Sequence, residues 1–391
     1  MAFARKLSAE YKEYHHLKLW KANPKILLPE ELIQKKSPFF PLFSYLYQIT
    51  RETYAQLPLR KNGEPSFLHP INTVLALKQA GITDEITLCI GIIHDLVEEK
   101  VDLYKKGKKI NKIKNLDRYE EELFEELEEE LFDFVRNETN LKEAVKIIIS
   151  VTKLLTRHKR DFYLRSIGQI FRSTDDDIKE IAIRVKLADR MHNILTLEKH
   201  DNEKRIYSCF KSLFILNNTK QYILHKYGKH MVHSRSLNPT ELLFKRCAKA
   251  TYEAHLIISD RCLSKGIEDT KTMIQLAFKK YAMEKEAVWQ VTNRNPKEKH
   301  LMNIFDGIVR KYNLRLHHKW HDFEKRKKEE YEYAKRFFAD FSFNDEQIQA
   351  IVNYKDSYGL KEVIAHLLYV PDYVIGRFLV NDLTENGRLP R

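Results

Sequence analysis

Glycine and proline are scarce in this 391-residue chain, at 11 each, and no run of about 18 consecutive apolar residues occurs in it. The first shortage removes the turn punctuation that an all-β chain needs, and beyond Pro239 no stretch alternates apolar and polar residues as a half-buried strand would. The second leaves nothing with the length of a membrane-spanning helix. Met1–Lys6 leads into no apolar core of the export type, so a cytoplasmic chain with no membrane association is expected. The four cysteines, Cys89, Cys209, Cys247 and Cys262, show neither the spacing of a zinc site nor that of a disulfide framework. Each falls in an apolar helical pattern, which fits buried thiols in a reducing compartment.

What remains is a helix-forming chain with 43% hydrophobic and 31% charged residues. Apolar residues recur every three to four positions, so the fold class is all-α. The formal net charge of +13 suits a phosphate-bearing partner without saying which kind. The length allows two or three domains, and the oligomeric state is unknown. Residues 1–36 read as a polar N-terminal arm. A first domain is expected over 37–227, carrying a charged insertion at about 103–138. A helical region at 240–340 and a trihelical module at 341–391 follow.

One segment stands out. Leu88-Cys89-Ile90-Gly91-Ile92-Ile93 is apolar throughout and then presents His94, Asp95, Glu98 and Glu99. Read as one buried helix with Thr83 as N-cap, it brings these four groups together through i, i+3 and i+4 spacing. Buried carboxylates need neutralising, and a divalent cation can neutralise several at once. Upstream, the turn-forming stretch Arg60-Lys61-Asn62-Gly63-Glu64-Pro65 leads to His69-Pro70. Downstream, Ile181–Thr196 reads as a helix with Asp189, Asn193 and Thr196 on one face. Asp175-Asp176-Asp177 begins that helix and is better placed for capping than for metal binding. Two histidines and two carboxylates, His69, His94, Asp95 and Asp189, make a mixed N/O set suited to Mn, Fe, Zn or Mg.

Tyr104–Lys109 reads as an exposed basic loop, and 119–136 as an acidic helix with an apolar stripe at Leu123, Leu127, Leu131 and Phe134. A charge run of this kind is ordinarily a solvated face, so the insertion is assigned no chemistry.

The His, His-Asp and later Asp resemble the HD-domain metal-dependent phosphohydrolases. Arg60–Pro65, Val151-Thr152-Lys153-Leu154 and Lys186–Asn193 resemble, more narrowly, signatures of the (p)ppGpp hydrolase domain of RelA/SpoT-homologue proteins. The resemblance spans roughly 37–227. It implies an HD-domain helical fold in which His69, His94, Asp95 and Asp189 hold one Mn2+. It further implies that Glu98 and Glu99 act on the attacking water, and that Arg60, Lys61, Asn193 and Thr196 bind the nucleotide. The implied reaction is hydrolysis of the 3′-pyrophosphate of ppGpp or pppGpp. The chain departs from the family pattern at Glu99, where Asp is usual, at Leu195, where Arg is common, and at Asn62, where Ser is common. Hydrolysis of another phosphorylated nucleotide and a non-catalytic nucleotide-binding regulator remain as alternatives. No mixed α/β synthetase domain is legible after residue 227, and no synthetase activity is expected.

In the last module Asn344 and Gln347 form a capping box, and two further short helices follow. The apolar spacing of Ile364–Leu379 resembles a helix-turn-helix, which would place DNA binding within 344–381. The third helix offers Asp372, Tyr373 and a single Arg377, poor equipment for phosphate or guanine contacts, so a packing module is favoured over DNA binding. Lys325-Arg326-Lys327-Lys328 and His317-His318 read as surface.

Overall fold

A computed structural model describes residues 19–108, 113–158, 163–228, 237–267 and 304–375. The described residues are helical with connecting turns, and contain no strand. None of the described helices is long and apolar enough to cross a membrane. All four cysteines are buried free thiols.

The chain divides into two compact units. The first comprises Trp20–Lys199 with the described part of Ser236–Phe244. Its helices are α1 (Pro29–Leu32), α2 (Phe40–Tyr54), α3 (Leu68–Gln79), α4 (Glu85–Ile93), α5 (Leu96–Lys108), α6 (Ile113–Phe134), α7 (Thr139–Leu155), α8 (Tyr163–Arg172) and α9 (Asp176–Leu195). Helix α3 is central and correspondingly apolar: nine of its residues, from Leu68 to Leu77, are buried. It packs on α4 and α9, and α9 also packs on α7 and α8. The segment before α1 joins this unit, because Trp20 is buried and its Nε1 donates to Gln79 Oε1 on α3 at 2.7 Å.

Gly91 sets the spacing of α3 and α4. A Cβ there would lie 2.8 Å from Leu77 Cδ1 and 3.3 Å from Val74 Cγ2, so a larger residue would require Leu77 to move or the helices to part. The N-cap of α4 is Asp84 rather than Thr83, its carboxylate accepting from the amides of Ile86 and Thr87 at 3.2 and 3.0 Å. Nor is the apolar segment one helix. It stops at Ile93 and resumes at Leu96, with His94-Asp95 forming the joint. The Gly91 carbonyl accepts from His94 Nδ1 at 2.9 Å, occupying an acceptor that a continuous helix would offer to the Asp95 amide.

Two further sequence expectations need correction. Tyr104–Lys108 is the last part of α5 and not a loop. The insertion helix α6 is longer than expected and is not merely a solvated appendage. Leu116, Leu123, Phe124, Leu127 and Leu131 are buried, and so is one carboxylate, Glu120. Asp175 caps α9 as expected, accepting from the amides of Asp177 and Ile178 at 3.0 Å.

The second unit contains the described residues from His200 to 228 and from Lys245 to 375. It includes α10 (Asn202–Tyr227), most of α11 (Pro239–Leu263), α12 (Ile304–Leu316), α13 (Trp320–Phe337) and α14 (Asp345–Tyr369). Helix α14 packs on α10, α12 and α13. Lys311 of α12 is buried between Asp356 of α14 and Glu330 of α13, ties that lock three helices in register. The capping box of Asn344 and Gln347 forms. The helix it starts runs unbroken to Tyr369, where two short helices were expected, because nearly every side chain from Ile348 to Tyr369 is buried and no glycine or proline cap interrupts it. The expected helix at 269–292, the start of that at 299–313, and Arg377 lie outside the described residues.

Candidate metal and nucleotide site

Three elements of the first unit converge on one point. Helix α3 brings His69 in its first turn, the α4–α5 joint brings His94 and Asp95, and α9 brings Asp189. One donor atom from each lies within 4.8 Å of all the others. His69 Nε2 is 3.3 Å from Asp95 Oδ2, 3.3 Å from Asp189 Oδ1 and 3.2 Å from His94 Nε2. His94 Nε2 is 3.2 Å from Asp95 Oδ2. Two donors bound to one first-row cation at right angles are about 3 Å apart, given bond lengths near 2.1 Å, so this spacing fits a single ion.

Tautomers support the same reading. A carbonyl only accepts, so the bond to Gly91 puts a proton on His94 Nδ1, and in the neutral ring this leaves the Nε2 lone pair facing the cluster. His69 Nδ1 faces His192 Nδ1 at 2.9 Å, and a proton on His69 Nδ1 leaves its Nε2 lone pair facing the cluster too. Two imidazole lone pairs and two carboxylates then share one space, an arrangement that a divalent cation neutralises. The set holds His, carboxylate and no thiolate.

Charges around the cluster are tightly balanced. Burial disfavours ionising Asp189, yet Lys186, whose Nζ lies 2.8 Å from Asp189 Oδ2, and His69 hold its pKa far below the usual carboxylate range. Burial likewise opposes the charge on Asp95, and His94 and His69 outweigh it, so its pKa is also lowered. His94 is buried, which resists protonation, but Asp95 and Asp189 raise its pKa on balance. His192 moves the other way: burial and the neighbouring His69 keep it neutral. Tyr54, the last residue of α2, is buried, and burial together with Asp95 and Glu99 raises its hydroxyl pKa.

Beside the cluster, the Arg60–Glu64 turn closes through bonds from Gly63 N to the Arg60 carbonyl and from Arg60 N to the Glu64 carbonyl, both 2.8 Å. Gly63 takes a positive φ of 91° there, as a glycine can without strain. The turn sends Arg60 Nη2 to Asn193 Oδ1 at 3.0 Å and Thr196 Oγ1 at 3.2 Å. Asn193 in turn donates to Asp189 Oδ1. Lys61 is exposed on that turn. Glu98 and Glu99 open α5, half-buried, with the Glu99 amide donating to the Asp95 carbonyl at 2.9 Å. Glu98 Oε1 accepts from Arg157 Nη2 at 2.8 Å.

All ten residues singled out from the sequence thus belong to this unit. Reading the sequence missed His192, Lys186 and Arg157. The first two lie inside the Lys186–Asn193 motif, where Lys186 precedes Asp189 by three residues, so helical spacing alone could have paired them. Arg157 lies 59 residues from Glu98 and left no local signal.

The chain is similar to proteins of the RelA/SpoT hydrolase type at modest identity. It is 27% identical over 193 residues to the probable guanosine-3′,5′-bis(diphosphate) 3′-pyrophosphohydrolase of Mycoplasma pneumoniae, covering 47% of this chain and 23% of the relative. It is 25% identical over 159 residues to the guanosine-3′,5′-bis(diphosphate) 3′-pyrophosphohydrolase of Aquifex aeolicus, covering 41% of this chain and 18% of that one. To the bifunctional (p)ppGpp synthase/hydrolase SpoT of Escherichia coli it is 23% identical over 284 residues, 73% of this chain and 34% of the other. The chain therefore spans only about a fifth to a third of the length of these curated relatives. No protein-family model matches it. No solved structure matches it either.

Proposed function

We propose that the first unit is a Mn2+-dependent phosphohydrolase that removes pyrophosphate from the 3′ position of guanosine alarmones such as ppGpp. The observation that carries this reading is the four-donor cluster within 4.8 Å, with Glu98 and Glu99 following Asp95 in sequence and Arg60 bonded to Asn193, itself bonded to Asp189. The names of the similar proteins support the substrate class.

His69, His94, Asp95 and Asp189 are the residues that would hold the ion. When bound, it supplies Lewis-acid polarisation of a phosphoryl oxygen and a lowered pKa for water. The remaining work belongs to the chain's own side chains. Glu98 and Glu99 sit one turn beyond Asp95, where a carboxylate can take the proton of the attacking water. Arg60, with Lys61 beside it, supplies positive charge for the nucleotide's phosphates, and Asn193 and Thr196 are polar contacts for its ribose-phosphate part. Arg60 bonds to both of those residues, which ties together the three polar groups on the nucleotide side of the site. Hydrolysis leaves a 3′-hydroxyl and releases pyrophosphate.

The test is release of pyrophosphate from ppGpp by the purified chain with Mn(II) at neutral pH, beside an Asp95→Ala control. Turnover that needs both Mn(II) and Asp95 supports the assignment. Absence of turnover with Mn(II) bound would sink the alarmone substrate and turn the search to other phosphorylated nucleotides, then to a binding role.

A further inference from the structure

The insertion helix and the candidate base are joined by a closed ring of contacts. Glu98 begins α5. Further along α5, Tyr104 stacks on Tyr119 of α6, with ring centroids 3.9 Å apart. The next residue of α6, Glu120, is a carboxylate whose side chain is 3% exposed, and it pairs with His158. The residue before His158 is Arg157, whose guanidinium returns to Glu98 at 2.8 Å. A buried carboxylate is costly unless paired, so the Glu120–His158 tie fixes the chain at His158 and with it the root of Arg157.

Arg157 itself is not spent by its bond to Glu98. Its side chain is 42% exposed, against 20% for Glu98, and among the described residues it donates only to that carboxylate. A guanidinium carries five N–H donors in a planar fork, which matches a phosphate oxygen pair well. On the flank of the cluster that Glu98 occupies, Arg157 is thus a cation with donors to spare, while Arg60 serves the Asn193–Thr196 flank. A pyrophosphate group carries more negative charge than one carboxylate and would compete for Arg157 on favourable terms.

We propose that Arg157 is the residue that grips the pyrophosphate group of the substrate, that it holds Glu98 in an ion pair until substrate arrives, and that Glu120 of the insertion helix sets its position through His158. Handing Arg157 from Glu98 to the phosphates removes this ion pair from the carboxylate beside the cluster as the anion enters. Arg157 therefore binds substrate, and Glu120 is a positioning residue. The inference rests on the phosphohydrolase reading above and adds the residue that recognises the leaving group.

The experiment measures two quantities on the full Mn(II)-loaded chain: the dissociation constant of inorganic pyrophosphate by calorimetry, and KM and kcat for ppGpp. Arg157→Ala should weaken pyrophosphate binding and raise KM on the order of 10- to 100-fold, the range of a lost charge-assisted hydrogen bond, with Mn(II) affinity unchanged. Arg157→Lys, which keeps the charge and loses the fork, should recover part of it. Glu120→Gln should shift KM the same way by a smaller factor, and should add nothing in the Arg157→Ala background. Unchanged pyrophosphate affinity in Arg157→Ala overturns the proposal, as does a wild-type chain that binds no pyrophosphate, or independent multiplying effects of Glu120→Gln and Arg157→Ala. If pyrophosphate binds through Arg157 but ppGpp is not turned over, the substrate assignment fails and the grip stands. If ppGpp is turned over and Arg157→Ala behaves as wild type, the reverse holds.

Discussion

His69 and His192 meet through their Nδ1 atoms at 2.9 Å, both rings buried, and the other ring nitrogen of His192 has no partner among the described residues. His192 is held neutral, so it can accept the proton that His69 must carry on Nδ1 if Nε2 is to face a metal. Outer-sphere partners of this kind are worth about 10- to 100-fold in metal affinity. His192→Phe should weaken Mn(II) binding by that order in a calorimetric titration. His192→Asn keeps an acceptor near the same place and should retain most of the affinity. Equal behaviour of the two variants would remove the tautomer argument.

Metal removal should loosen the first unit. A ligand present at 100 times its dissociation constant stabilises the folded state by about 2.7 kcal/mol. Thermal unfolding followed by circular dichroism should therefore show a lower Tm in chelator than in saturating Mn(II). Asp189→Asn, which removes one ligand charge and leaves Lys186 without its carboxylate, should abolish most of that difference. A Tm indifferent to Mn(II) would argue that no ion binds at the cluster.

Gly91→Ala tests the close approach of α3 and α4. The added methyl would meet Leu77 Cδ1 at 2.8 Å, so the helices must part or Leu77 must leave its rotamer. Overpacking of this sort costs about 1–3 kcal/mol. Because His69 and His94 ride on these two elements, Mn(II) affinity should fall together with stability to urea. A stable variant with intact affinity would show that the approach is not needed.

In the second unit, His255 gives folding a pH dependence. The Ser357 hydroxyl donates to the His255 carbonyl at 3.3 Å, so Nδ1 of the ring donates to Ser357 Oγ at 3.0 Å, and Nε2 is buried as a bare lone pair without a partner among the described residues. Burial and then Lys361 push its pKa from 6.5 to about 3. Between those values the unfolded chain takes up a proton that the folded chain refuses, so stability falls as pH drops below about 6.5. At pH 5 the loss is about 2 kcal/mol. Urea unfolding at pH 7 and pH 5 should show it, and His255→Gln should flatten the difference even where it lowers stability at pH 7. An undiminished slope in that variant would assign the acid sensitivity to other groups.

Much of this was legible in the chain's own order. Helical periodicity depends on neighbours three and four residues away, so the helices, the Asp175 cap, the Asn344–Gln347 box and the shared face of Asp189, Asn193 and Thr196 followed from sequence. The four donors were also named from sequence, and they lie within 4.8 Å of one another. Tertiary structure decided what depends on partners distant in sequence. At the His94-Asp95 joint a side chain bonds to the Gly91 carbonyl, a contact that apolar periodicity does not register. Arg60 finds Asn193 across 133 residues, His69 finds His192 across 123, and Arg157 finds Glu98 across 59. Helix α6 reads locally as a solvated acidic face, and becomes part of the site's surroundings only because one of its many glutamates, Glu120, is turned inward to meet His158. Local spacing tells which side of a helix a residue shares, but what lies opposite is set by the packing of the other helices.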